Sequence, residues 1–580
     1  MNHRRSTRCR GAAPAVVLCL WLVSGTACGR DSAPAQEPAA SQPTMTAARS
    51  TEEAAEIALG GAFARILEEG VHPDLVWPDF RDYRGHVQRF YEGRELEPAW
   101  SRGGRVTAQA RTAIAFLREA DDRGLHSEDY DGSRWNDRVR ALDASTRPAP
   151  SELALFDLAL TISVMRCISD LHIGRINPRN LSFGLDVEAK KYDLPALLEK
   201  LVVADDPRAL LESVEPPFEG YKALKRALVH YRELAAEGED EPLPEVERLE
   251  PGSPYPASEA LAHRLVRLGD LEPTAAETVT PGLYDGVLVE GVQRFQARHG
   301  LGTDGKLGPK TFRALNTPLA HRVEQIQWTL ERWRWAPFEY PRPPIVVNVP
   351  EFVLRAYGPD DEAELTMNVV VGEAYHHETP IFAAELKYLV FRPTWTVPFS
   401  IQRRELMPKI NADPAYPAAN GYDVVAPDGS LVTDIDEEAL QGLRSGRLTL
   451  RQRPGADNSL GRVKFIFPNE HDVYLHGTPA QSLFSRSRRD FSHGCIRLER
   501  PEELARWVLK DRSDWPPERI RSAMNGDTTI QVNLTAPIPV LIVYGTAVAS
   551  ADGGVSFFDD IYGHDETLAQ ALAGGYPYPA

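Results

Sequence analysis

The spacing of apolar residues changes once along this chain, at Pro341, and that change constrains the fold more than any other feature. Before it, apolar side chains recur every three or four residues, as in Ser151 to Leu171, Leu194 to Val202 and Gly220 to Glu237. After it, β-branched and aromatic runs of strand length take over: Pro344 to Val349, Phe352 to Tyr357, Leu365 to Val371, Leu386 to Phe391 and Thr394 to Val397. Pro, Gly and Asp clusters separate them. A chain of 580 residues is too long for one core, and at roughly 150 residues per domain it should form three or four modules. The expectation is an α+β multidomain protein, helical first and β-rich afterwards.

The helical part is expected over 50–250, opened by a Ser50/Glu53 capping box and a pattern of Ile57, Phe63, Ile66 and Leu67 that ends at Gly70. Cys167 shares a helical face with Phe156, Leu160, Ser163 and Leu171, so it reads as core packing. Pro251 to Pro256 breaks the helices. A smaller module that alternates short amphipathic helices with glycine turns follows over 257–317.

Ahead of the helices, Arg4, Arg5, Arg8 and Arg10 precede an apolar run, Ala12 to Val23, and the small residues Ser24 to Ala27. That order is the pattern of a secretory signal over 1–27, and the run is shorter than the ~20 residues of a spanning helix. Cys28 stands where a lipidated cysteine would follow the cleavage site, which would attach the chain to a membrane on the periplasmic side of an envelope. Residues 28–49, rich in Ala, Pro, Ser and Gln, read as a disordered tether. With 65 Lys and Arg against 83 Asp and Glu, the net charge of -18 disfavours a nucleic-acid partner.

Of the five cysteines, Cys495 alone lies in the last 400 residues, within Ser492-His493-Gly494-Cys495-Ile496-Arg497. A second His-Gly pair, His476-Gly477, stands 17 residues upstream of His493. A thiol attacks carbonyls as thiolate, so it needs a base for its proton and N–H groups for the oxyanion that follows. His476 and His493 compete for the base. If 495–498 is extended, Cys495 and Arg497 face one side and Ile496 and Leu498 the other, and Arg497 could then fork onto a substrate carboxylate. Between Asn411 and Arg447 a polar, partly helical insert is expected, a candidate lid. A C-terminal extension follows over 549–580, with Asp552-Gly553-Gly554 as a hairpin turn.

His476-Gly477-Thr478 followed by Ser492-His493-Gly494-Cys495 and Arg497 resembles the signature of the L,D-transpeptidases, cysteine enzymes of bacterial peptidoglycan with a YkuD-type catalytic domain. Gly372, Thr379-Pro380, Trp395, Pro398, Ile401, Glu405, Pro408 and Lys409 resemble the stretch that precedes the motif in that family. Val292-Gln293-Arg294-Phe295-Gln296 with Asp304-Gly305 and Gly308 is similar to a peptidoglycan-binding domain. The resemblance implies a catalytic domain over 341–548, with Cys495 as nucleophile, His476 as base oriented by the Gly477 carbonyl, and the N–H groups of Gly494 and Cys495 as oxyanion hole. Arg497, Ser492, His493, Tyr474 and Trp395 would contact substrate. The implied reaction releases D-alanine from a tetrapeptide stem and forms a 3-3 cross-link through a thioester, with peptidoglycan peptide and glycan as partners and neither metal nor cofactor. An L,D-carboxypeptidase and a non-catalytic wall-binding lipoprotein are the alternatives.

Overall fold

The computed structural model describes residues 45–191, 193–550 and 553–576, so the expected signal sequence, the lipidation site Cys28 and most of the tether lie outside the described residues. The chain divides between Ala54 and Ala55, and the described residues of the first unit are the opening turns of helix α1, Met45–Glu69. This helix begins inside the stretch expected as tether, and ahead of the expected Ser50/Glu53 box. The last proline before it is Pro43, and Thr46-Ala47-Ala48-Arg49 offers nothing that would stop a helix.

Within 55–576 the architecture is α+β. Helix α2, Pro150–Ile173, runs through the middle of the helical region, and its apolar residues point in every direction because it is buried nearly all round. Proline at its first turn and the Glu152 carboxylate, accepting from the Ala149 N–H at 2.9 Å, set its start. Cys167 is fully buried on it. Helix α3, Glu219–Glu237, closes this region.

The next module packs α4 (Ser258–Arg267), α5 (Gly286–Arg298) and α6 (Pro309–Leu315) around Leu261, Leu265, Val292, Phe295 and Phe312. Gln296 is buried in it and satisfied at both ends, accepting from the Gly305 N–H at 2.9 Å and donating to the Lys306 carbonyl at 2.9 Å. A connecting helix, α7 (Leu319–Trp335), leads into the β region. Its Glu331 is wholly buried and accepts from the backbone N–H groups of Arg175 (2.5 Å) and Ile176 (3.1 Å), with Arg334 paired to it at 3.2 Å.

The β region is one sheet of nine strands: β1 (Ile345–Asn348), β2 (Val353–Tyr357), β3 (Ala363–Gly372), β4 (Phe382–Phe391), β9 (Val463–Ile466), β10 (Leu475–His476), β11 (Asp490–Ser492), β12 (Ile496–Leu498) and β13 (Ile530–Val543). Their order is β11-β3-β12-β10-β9-β4-β13-β1-β2, and β2 also pairs with β3, so eight of the strands close a ring. Closure removes the edges of those eight strands and leaves an inside filled by Val347, Leu354, Val369, Leu389, Phe465, Leu475, Ile496 and Leu498, all fully buried. Neither Pro537 nor Pro539 has an N–H to donate to the ladder, and the register of β13 against β4 shifts between Asn533 and Ile538.

The insert is broader than the expected 411–447. It starts with β5 (Trp395–Thr396) and includes β6 (Tyr422–Val425), β7 (Leu431–Val432), helix α8 (Glu437–Ser445) and β8 (Thr449–Gln452), in a sheet ordered β7-β6-β8-β5. Val397, Met407, Ile410, Val424, Leu443 and Leu450 give it its own core. Buried Gln402 pins this core by donating to the carbonyls of Leu443 (2.8 Å) and Leu448 (3.0 Å) and accepting from the Leu450 N–H (2.8 Å). Helix α9, Pro501–Val508, follows β12 and turns Leu504 and Val508 inward. The C-terminal extension forms the hairpin β14 (Ala547–Ala549) and β15 (Val555–Phe557), then helix α10 (His564–Ala573). Asp552, in the expected turn, lies outside the described residues.

Candidate active site

Parallel pairing of β10 with β12 sets Leu475 against Ile496 and His476 against Arg497. The Ile496 N–H also donates to the Tyr474 carbonyl at 3.1 Å, which continues the ladder back to the level of Cys495. Residues that alternate along a strand alternate in face, and residues level across a pair share one. Tyr474, His476, Cys495 and Arg497 therefore lie on one side of the sheet, while Leu475, Ile496 and Leu498 fill the core. Lys464 of β9 pairs with His476 and joins the same side, its ammonium 5.7 Å from the Tyr474 ring.

His476 is 4% exposed, and its Nδ1 donates to the Gly477 carbonyl at 2.5 Å. With the proton fixed on Nδ1, Nε2 carries the lone pair. Burial lowers its pKa to about 3, and the Arg497 and Lys464 cations push the same way against the Gly477 bond, so the ring is neutral near pH 7. Gly477 also donates its N–H to the Val463 carbonyl at 3.0 Å.

Cys495 is half-buried, and its thiol lies 3.8 Å from the Asp472 carbonyl. Burial raises its pKa above the ordinary thiol value, while hydrogen bonds with Tyr474 and the nearby Arg497 charge oppose the rise. Arg497 is itself half-buried, burial lowers its pKa, and among the described residues no carboxylate pairs with it. The Glu405 charge reaches it without forming an ion pair, and a guanidinium taken partly out of water beside a thiol in this way is a ready receptor for a carboxylate.

The turn before the thiol is held tightly. Gly494 has φ +103°, a conformation that L side chains rarely adopt. Buried Ser492 donates from Oγ to the Cys495 carbonyl and accepts from the Gly494 N–H at 3.2 Å. His493 is exposed, its Nε2 lies 2.7 Å from Glu405 Oε1, and its ring packs 4.7 Å from that of His377. Glu405 belongs to the insert, so this contact joins insert and catalytic turn. Trp395 packs against the core of the insert. Glu405 and Thr379 were visible in the sequence only as parts of a family-like string, and Tyr562, described below, carried no signal at all.

A thiol, a neutral imidazole with a fixed tautomer, an unpaired arginine and a strained glycine turn define a centre suited to acyl transfer through a cysteine. The comparisons agree with that class. Residues 342–535 match the family described as "L,D-transpeptidase catalytic domain", residues 255–315 the one described as "Putative peptidoglycan binding domain", and residues 85–228 the one described as "Scaffold domain". A curated protein of Haemophilus influenzae, named "Putative L,D-transpeptidase", is 32% identical over 226 residues, which is 39% of this chain and 45% of that relative. The chain thus spans less than half the length of the curated relative it matches, and it carries a YkuD-type catalytic domain and a peptidoglycan-binding domain.

Proposed function

We propose that this protein is a peptidoglycan L,D-transpeptidase that works through an acyl-enzyme on Cys495. Its substrate is the tetrapeptide stem. Cys495 Sγ attacks the amide between meso-diaminopimelate and terminal D-alanine, His476 Nε2 takes the thiol proton, and the oxyanion forms beside the Cys495 N–H. Collapse expels D-alanine, protonated by His476, and leaves a thioester. The neutral side-chain amine of diaminopimelate on a second stem then attacks the thioester and gives its proton to His476, the Cys495 thiolate leaves and takes that proton back, and a 3-3 cross-link results. Arg497 binds a substrate carboxylate. The insert over 395–452 acts as a lid that excludes water, which favours the amine as acceptor.

The observation that carries this reading is the strand register, which puts His476, Cys495 and Arg497 on one face while the Gly477 carbonyl fixes the imidazole tautomer. Export and a lipid on Cys28, which would hold the enzyme on the periplasmic side of the envelope, rest on the sequence of the first 28 residues; radiolabelled palmitate should enter the wild type and be lost in Cys28→Ala, and label absent from the wild type or kept by Cys28→Ala would speak against the lipid. The decisive experiment is incubation of purified protein with tetrapeptide muropeptides. The expected products are 3-3 dimers and free D-alanine, lost in Cys495→Ala. Tripeptide without dimer would mean a carboxypeptidase, and turnover identical in Cys495→Ala would sink the assignment.

A further inference from the structure

A polar chain leads from the C-terminal extension to the thiol. Tyr562, 6% exposed, donates its hydroxyl to the Gly372 carbonyl at 2.7 Å and accepts from the Thr379 N–H at 3.2 Å. Thr379 is fully buried. Its Oγ1 accepts from the Gly372 N–H at 2.8 Å and donates to the Gly494 carbonyl at 2.8 Å. Gly372 has no room to move within this arrangement, because a Cβ there would lie 1.9 Å from the His377 carbonyl oxygen. Tyr562 is fixed in turn, since its own N–H donates to the Tyr544 hydroxyl at 3.0 Å, and that hydroxyl donates to Asp560 at 2.5 Å.

The end of this chain is the peptide bond between Gly494 and Cys495. In a trans peptide the carbonyl and the N–H point in opposite directions. Holding the Gly494 oxygen down on buried Thr379 therefore turns the Cys495 N–H away from the interior. Among the described residues no protein acceptor takes that N–H. The Gly494 N–H, by contrast, is occupied by Ser492 Oγ at 3.2 Å.

We infer that Tyr562 and Thr379 are positioning residues that aim the Cys495 N–H as the oxyanion donor. This rests on Cys495 being the nucleophile. Tyr562 lies beyond the residues that match the catalytic family, so this chain's own C-terminal extension completes its active site. The extension acts through hydrogen bonds alone and touches no reacting atom.

Two reactions of the same sulfur separate aiming from general damage. Acylation by a carbapenem or by the tetrapeptide passes through a tetrahedral oxyanion, whereas alkylation by iodoacetamide displaces iodide and forms none. Removing a preorganised oxyanion donor costs about 100- to 1000-fold in rate, and misaiming it should cost roughly 10- to 100-fold. Tyr562→Phe and Thr379→Val are expected to slow acylation by that amount with little change in KM, and to alkylate at the wild-type rate. Thr379→Ser, which keeps the hydroxyl, should restore acylation. Equal loss in both reactions, or acylation at the wild-type rate in both variants, overturns the inference. A wild type that neither reagent acylates at Cys495 overturns instead the nucleophile assignment beneath it.

Discussion

His476→Gln should separate two ways in which a cysteine enzyme can prepare its thiol. In one, the resting pair is already thiolate and imidazolium. In the other, both groups rest neutral and the proton moves only during attack. The structure favours the second. Burial raises the Cys495 thiol above its ordinary 9.0, so at pH 7.5 less than about 3% is thiolate. The His476 imidazolium, titrating at about 3, is too acidic to hold the proton. Both directions disfavour the charged pair at rest. The assay is the rate of iodoacetamide alkylation from pH 6 to 10, followed by mass, beside the rate of acylation by tetrapeptide. Wild-type alkylation should climb steadily toward the alkaline end, and His476→Gln should follow nearly the same curve. Acylation should drop about 100- to 10,000-fold in that variant, the usual contribution of a general base. A wild-type alkylation plateau between pH 6 and 8 that His476→Gln abolishes would refute the argument.

Arg497→Leu removes the unpaired guanidinium and should raise KM for the tetrapeptide roughly 10- to 100-fold through loss of charge-assisted hydrogen bonds, with Arg497→Lys recovering only part because it lacks the fork; equal KM values would exclude a carboxylate contact. Ile496→Ala empties a fully buried position behind the thiol and should destabilise the fold by about 2–5 kcal/mol in urea melts, whereas a change below about 0.5 kcal/mol would show the barrel core relaxing into the space. Acid should weaken the fold through His476. Its folded pKa of about 3 lies below the ordinary 6.5, so the unfolded chain binds the proton first and stability, complete above pH 6.5, falls as pH drops toward 3. At about 1.4 kcal/mol per pH unit, going from pH 7 to 5 should cost wild type ~2 kcal/mol more than His476→Gln. A difference that stays flat with pH would place the imidazole in water.

Much of the candidate site could be read before any coordinates because its signal is local. Four adjacent residues place the thiol, and two residues at a strand end place the imidazole. The period change at Pro341 separated helices from strands for the same reason, since each period belongs to one element. What escaped depends on contacts far apart in sequence. Nothing near Tyr562 hints that its hydroxyl meets Thr379, 183 residues earlier. Closure of the sheet needs β2 to meet β3 on one side and β1 on the other, which no spacing records. The insert looked polar and loop-like over 411–447 because its strands are only two to four residues long, too short for alternation to stand out, and its core draws on Val397 and Leu450 from outside that window. Helix α1 starts early because propensity carried it past the expected cap.

Helix α7 bears on how the parts can move. Near its start Arg322 donates to the Ala314 carbonyl at 2.9 Å, and farther along Thr329 accepts from the Ala547 N–H at 3.2 Å. At its far end Glu331 grips the Arg175 and Ile176 backbone, and Arg332 pairs with Asp565 at 2.5 Å. A rod of 17 residues spans about 25 Å at 1.5 Å per residue. Nailed at these points along its length, it works as a strut between the module of α4 to α6 and the barrel. Should the proposed function hold, a sugar strand gripped by that module would meet the sulfur at one set stand-off, and stems would be selected by reach as well as by chemistry.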